Sequence, residues 1–352
     1  MTRPAPQDWI AGLAIGACAG YAFARMHTPI PWMLGPLLVL ALLRVAGVPV
    51  AAAPGGRHLG QWIIGTALGL YFTPQVVREV AGSWPLFVAG AVFAIALGYA
   101  AGVVLARLAR LDLTTGIFAS VTGGAAEMTI LSEQFGARTD RVAAAQSLRI
   151  MIVVLVVPAA YVLLGLHGSD LYVPGTAEFR GEGLALLMLA TLAGSAVAQW
   201  VRLPNAFVLG SLAVAIPLTA LDVHFSAMPT LATNAGQCLL GCALGARFNR
   251  DFLRGAPRFV GAVAVTVLGA IVIAVAFGWA LAMLADQNPA TISLGMAPGG
   301  IAEMCITAKA LQLGVPFVTA FHVTRLVVLL LLTAPLFGRM RGWWRRREGG
   351  RR

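Results

Sequence analysis

The sequence predicts an all-α polytopic membrane protein made of two inverted-topology repeats, each with five transmembrane helices and one re-entrant, broken segment. Three observations carry this. The 352 residues are 59% hydrophobic and only 11% charged, where a soluble domain carries about a quarter charged residues, and apolar stretches of roughly 18 or more residues recur from end to end. The second half repeats the first at an offset close to 176 residues, as Glu127 with Glu303 and Arg149 with Arg325. The charges that flank matching segments change sides between the copies.

Each half holds six apolar segments. The first, Trp9 to Ala24, has the length of a signal peptide. A similar segment recurs at Leu184 to Gln199, so it reads as a span. The second opens on Pro31-Trp32-Met33-Leu34-Gly35 and is matched by the span led by Pro204-Asn205-Ala206-Phe207. The third, Leu59 to Phe72, carries Gly60-Gln61 and Ala67-Leu68-Gly69, matched by Gly236-Gln237 and Ala243-Leu244-Gly245. Glycines four apart, such as Gly12, Gly16 and Gly20 or Gly241 and Gly245, are read as helix-packing sites. The fourth segment is long in both halves, and the sixth contains Arg149 or Arg325.

The fifth segment is the re-entrant one. It runs from Thr114 to Phe135 with Gly123-Gly124 at its middle, and from Ala290 to Leu313 with Pro298-Gly299-Gly300 at its middle. Each limb of about ten residues is about 15 Å of helix, half the hydrocarbon thickness. Arg110 lies before the first copy, and Arg138 and Arg141 lie after it. That charge distribution suits a segment that returns to its starting side. The organisation is repeat 1 over 1–167 with its hairpin at about 112–138, an external connector over 168–182, repeat 2 over 183–340 with its hairpin at about 287–314, and a basic tail over 341–352.

Orientation follows from the arginines. Arg247, Arg250, Arg254 and Arg258 mark the loop after the third segment of half two as cytoplasmic, while Arg78 beside Glu79 marks its counterpart as external. The seven arginines between Arg339 and Arg352 put the tail inside. The formal net charge of +11 is therefore a topology signal and not a nucleic-acid footprint. Direct nucleic-acid binding is not expected. Cys18, Cys238, Cys242 and Cys305 all sit in apolar segments without CxxC spacing, so neither a disulfide framework nor a metal site is expected. No cofactor is implied either.

The chemistry rests on charges inside apolar segments: Glu127, Glu133 and Glu303 against Arg149, Arg325 and Lys309. Such residues need a partner or a wet cavity. GGAAEM (Gly123 to Met128) and GGIAEM (Gly299 to Met304) place one glutamate in the first turn after each helix break. The helix dipole favours the carboxylate there and burial favours the neutral acid, so proton exchange is plausible chemistry. Free N–H groups at the glycine pairs can hold an anion, and freed carbonyls at the end of the preceding limb can hold a cation. The competing reading is structural, with each glutamate paired to Arg149 or Arg325. Gln146 and His322 match, three residues before each arginine, and the histidine can relay a proton or simply pack. Lys309 matches Glu133 and either pairs with it or snorkels.

The doubled GG-x-AEM segments, PWMLGPLL (Pro31 to Leu38) and the downstream arginines resemble the bacterial AbrB-duplication membrane proteins. The resemblance covers about Trp9 to Met340. It implies a multi-pass protein of the bacterial plasma (inner) membrane, linked by family labels to regulation of gene expression or to ammonia monooxygenase chemistry. The five histidines show no ligand spacing for a monooxygenase, and no soluble DNA-reading element exists. The expectation is a non-enzymatic secondary transporter of a small solute, coupled to H+ or Na+, with both termini cytoplasmic and any effect on gene expression indirect. A membrane regulator or scaffold without transport and a passive channel are the rivals. Self-association is left open.

Overall fold

The computed structural model describes residues 5–169, 172, 174–175, 178–248, 256–329 and 331–332. The basic tail, Arg250 and Arg254, and part of the connector lie outside the described residues. Among these residues every regular element is a helix and no strand occurs. The first half contains α1 (Pro6–Arg25), α2 (Pro31–Ala46), α3 (Gly56–Gly69), α4 (Pro74–Gly82), α5 (Trp84–Ala109), α6 (Leu113–Ser120), α7 (Ala125–Gln134) and α8 (Thr139–Leu163). The second contains α9 (Gly181–Trp200), α10 (Ala206–Ala220), α11 (Thr230–Gly245), α12 (Pro257–Leu284), α13 (Pro289–Met296), α14 (Ile301–Ala310) and α15 (Val315–Leu329).

The repeat is visible in these boundaries. α6 and α13 start at 113 and 289 and end at 120 and 296; α7 and α14 start at 125 and 301 and end at 134 and 310. Both pairs are therefore 176 residues apart at each end. Proline opens α1, α2, α4, α12 and α13, where its missing N–H costs nothing. The first limb of each hairpin is capped at the same place: Asp112 accepts from Thr115 N at 2.8 Å, and Asn288 accepts from Thr291 N at 3.0 Å.

Among the described residues four helices, α5, α8, α9 and α12, are long and apolar enough to cross a membrane. The ten full spans expected from the sequence are not all of that length. α3, α10, α2 and α11 have 14, 15, 16 and 16 residues, or about 21–24 Å at 1.5 Å per residue, short of about 30 Å of hydrocarbon. The segment around Arg78 and Glu79, read as a plain loop, is the short helix α4, started by Thr73, which accepts from Val76 N at 3.4 Å.

The helices sort into two bundles. α1, α2, α3, α9, α10 and α11 pack together, and α5 to α8 pack with α12 to α14. In the first bundle the copies interlock reciprocally, α2 against α11 and α10 against α3. α3 and α11 cross at matching glycines, where a Cβ on Gly60 would stand 2.7 Å from Gly236 O. In the second, Gly102 and Gly278 admit the hairpins against α5 and α12. A Cβ on either would meet Ile117 Cα at 2.5 Å or Ser293 Cα at 2.6 Å. Among the described residues the contacts between the bundles centre on α3 against α14, and α10 also touches α4. That boundary is where the polar residues gather.

Candidate functional site

Each hairpin closes on itself. Arg138 N, just before α8, donates to Thr115 Oγ1 at 2.9 Å, so the chain leaves α7 beside the point where it entered α6. Gly314 N donates to Thr291 Oγ1 at 3.2 Å in the second copy. Between the limbs the chain is extended: Gly124 (φ −61, ψ 137) and Gly300 (φ −85, ψ 160) precede α7 and α14. A helix interrupted inside an apolar bundle exposes carbonyls at the end of one limb and N–H groups at the start of the next.

The carbonyls are satisfied by the arginines. Arg149 donates to Val121 O at 3.0 Å and to Gly123 O at 3.4 Å; Arg325 donates to Ala297 O at 2.9 Å and to Gly299 O at 2.6 Å. The planar guanidinium fork matches two acceptors two residues apart, which a lysine cannot do. This differs from the Glu–Arg pairing offered by the sequence. Among the described residues the ion pairs within 4.0 Å involve Asp140 and Glu178, and neither Glu127 nor Glu303 pairs with an arginine. The carbonyls read as a candidate cation site each accept from a guanidinium group.

The neighbours of these arginines match as the sequence suggested, and then diverge. Gln146 Nε2 donates to Phe118 O at 2.8 Å and to Val121 O at 3.0 Å. His322 Nδ1 lies 2.8 Å from Arg325 Nη2. Arginine can only donate, so Nδ1 accepts, and the ring is neutral with its proton on Nε2.

The glutamates fold back over the N-terminal glycines. Each is the third residue of its limb, and a Cβ on Gly124 or Gly300 would collide with Oε2 of Glu127 or Glu303. A carboxylate over a helix N-terminus is favoured by the local N–H groups and the dipole. Only glycine leaves room for it.

A cavity of about 50 Å³ lies at the boundary of the bundles. The first bundle supplies Arg57 and Gln61 of α3 and Asn205 before α10; the second supplies Thr122, Gly123, Gly124, Arg149, Gly299, Gly300, Glu303, His322 and Arg325. Thr122, Arg149 and Arg325 also line a smaller cavity of about 30 Å³ against α5 and α12. Glu127 lies next door, in a cleft of about 240 Å³ with Arg57, His58, Gln61, Arg202 and Asn205. Asn205 joins the two spaces: its N–H donates to Glu127 Oε1 at 3.3 Å, and its Oδ1 accepts from Gln61 Nε2 at 3.4 Å. Both hairpins thus meet at one polar centre, with Glu303 inside it and Glu127 at its edge.

Lys309 belongs elsewhere. Its Nζ lies 5.7 Å from the Tyr71 ring centroid, and it lines a cavity of about 390 Å³ with Asn234 and Gln237. Glu133 is exposed. Arg57, Thr122, Gln61 and Asn205 are the residues sequence reasoning missed. Gln61 was visible as part of a repeated Gly-Gln pair, and Asn205 as the start of a span, but nothing local ties either to the hairpins. Among the described residues no group of three or more His, Cys, Asp or Glu is placed to hold a metal.

The family model described as "Transition state regulatory protein AbrB" matches residues 32–341. The chain is similar to YhjN of Bacillus subtilis (strain 168), with 27% identity over 358 residues, covering 92% of this chain and 91% of that protein. It is also similar to a protein of Escherichia coli (strain K12) described as a regulator, AbrB, with 23% identity over 320 residues, covering 90% of this chain and 91% of that protein.

Proposed function

The chain belongs to the AbrB family, and we propose that it is a secondary transporter of a small solute, built from two inverted repeats and driven by H+ or Na+. The observation that carries this reading is the polar centre itself. It lies between two helix bundles, and both broken hairpins end at it. A site shared by two bodies can be opened to one side and then the other when they rock, which is the requirement of alternating access. Broken helices at depth are tolerated where protein or a wet cavity satisfies their backbone, and here arginine forks and a polar cavity do so. In this reading the hairpins enter from opposite faces of a bacterial inner membrane, both termini are cytoplasmic, and Glu127 and Glu303 carry the coupled proton or ion.

Two measurements test it. Cysteines placed singly at Ser83 and Arg254 in a cysteine-free background label from opposite faces, while cysteines at Arg110 and Arg138 label from the same face. Ser83 and Arg254 labelling together would make the repeats parallel. In proteoliposomes with an imposed pH or sodium gradient, a panel of small metabolites contains one that accumulates uphill. Glu127→Gln and Glu303→Gln keep the shape and abolish that accumulation or its ion dependence. Unchanged coupling in both variants removes the carboxylates from the mechanism.

A second reading is favoured by the name of the E. coli relative: a membrane regulator that transports nothing. It expects hairpin variants to keep the regulatory phenotype and tail or loop variants to lose it.

A further inference from the structure

Arg149 and Arg325 are 4% and 6% exposed, and no carboxylate of the described residues lies within 4.0 Å of either. A buried cation is costly unless both hydrogen bonds and charge compensate it. The hydrogen bonds are present, from four backbone carbonyls. The charge is not in contact. Around the central cavity three arginines, Arg57, Arg149 and Arg325, face one carboxylate, Glu303. Adding Glu127 from the adjoining cleft brings Arg202 with it, so the excess stays positive.

Two residues lining that cavity each carry a buried polar atom without a partner, Thr122 Oγ1 and Arg149 Nε, while His322 Nε2 is turned to the Leu294 carbonyl. Each of the two is a donor: the hydroxyl can rotate and Nε always bears hydrogen. Arg149, at 4% exposure, cannot turn to bulk water instead. Unused directional donors with surplus positive charge call for an acceptor-only, negatively charged ligand. Several separate N–H and O–H groups suit two oxygens better than one spherical ion. The carbonyls that a bare sodium ion would need are already taken by guanidinium groups.

We propose that the central cavity binds a small carboxylate anion, of the size of formate or acetate, held by Arg57, Arg149 and Thr122. The volume of about 50 Å³ sets that size. The inference deepens the transport reading by naming its cargo, and the binding half can be tested without transport.

The experiment is thermal unfolding of the purified full chain in detergent, titrated with sodium formate or sodium acetate. Sodium gluconate, a carboxylate too large for the cavity, keeps sodium and ionic strength constant, and sodium chloride is run as a parallel arm. Formate and acetate should raise Tm by several degrees in a saturable manner, and chloride should not. Arg57→Gln, at a half-buried position, should lose that rise while unfolding at the unliganded wild-type temperature. Thr122→Val, nearly isosteric, should weaken it at least several-fold and serves if Arg57→Gln does not fold. No saturable rise, or an equal rise in both variants, overturns the site. An equal rise with chloride overturns the carboxylate class. Saturable binding lost in Arg57→Gln supports the site even if vesicles accumulate nothing, and that combination instead defeats the transport reading. Uphill uptake of another solute with which acetate does not compete leaves transport standing and defeats this inference.

Discussion

Hairpin one and hairpin two share a backbone plan and divide over a single neighbour. In both, an asparagine or aspartate starts the first limb, a threonine ties the two ends, an arginine fork takes two carbonyls at the break, and a glutamate lies over a glycine. Three residues before the arginine, Gln146 donates to Phe118 O and shares Val121 O with Arg149, whereas His322 hands its nitrogen to Arg325. The common part builds a break that can exist inside an apolar bundle. The difference ties one break, and only one, to a titratable ring. If His322 gained a second proton it could no longer accept from Arg325, and two like charges would stand 2.8 Å apart. Arg149, Arg57 and Glu303 line the same cavity as His322. The second hairpin is therefore the one able to respond to pH through its arginine.

The largest expected effect comes from removing what the hairpins share. Arg149→Ala and Arg325→Ala each take a charged donor from two carbonyls: Val121 O keeps Gln146 Nε2 and Gly123 N, and Ala297 O keeps Gly299 N, while Gly123 O and Gly299 O lose that donor at about 1–3 kcal/mol each. Both variants should lose most of the monodisperse protein seen by fluorescence-detected gel filtration after solubilisation. Arg→Lys should recover only part, because an ammonium lacks the fork. A normal yield of either alanine variant would mean that the break is not held by its arginine.

Next comes the difference itself. His322→Gln converts the second hairpin to the chemistry of the first. An amide can donate to the same limb end, so folding should change by less than about 1.5 kcal/mol. The pH dependence of flux, or of binding at the central cavity, should flatten. Gln146→His, the reverse exchange, should leave the pH profile in place. A profile insensitive to His322→Gln would move proton coupling to Glu127 or Glu303.

The helix breaks were legible in the sequence almost to the residue. Thr114 to Phe135 became helices over Leu113–Ser120 and Ala125–Gln134, because a glycine pair is the weakest point of an apolar helix. Glu127, Glu303, Arg149, Arg325 and the Gln146–His322 match were legible for the same reason: isolated polar residues stand out against lipid-like surroundings. The partnership was not. Three negative and three positive charges invited pairing, yet backbone carbonyls two residues apart fit a guanidinium and lie nearer. Arg57 lies just before its apolar segment, where nothing sets it apart from other flanking charges. Only the packing of α3 and α10 against the hairpins brings it, Gln61 and Asn205 to the cavity, and long-range contacts of that kind leave no periodic trace.

The smallest effect tests whether the two closures are equivalent. Thr115 Oγ1 and Thr291 Oγ1 each accept one backbone N–H, at 2.9 and 3.2 Å, and each threonine N–H is also taken by a capping side chain. Thr115→Val and Thr291→Val keep the branched shape and remove one acceptor. Arg138 is exposed and Gly314 is buried, so the N–H orphaned at Gly314 has the poorer access to water. The cost should be about 1 kcal/mol, larger at 291, where the site is drier. Differential scanning fluorimetry of both variants would read the order directly. Equal and negligible shifts would mean that the limbs are held together by their packing on α5 and α12, with the threonine bonds contributing little to either hairpin.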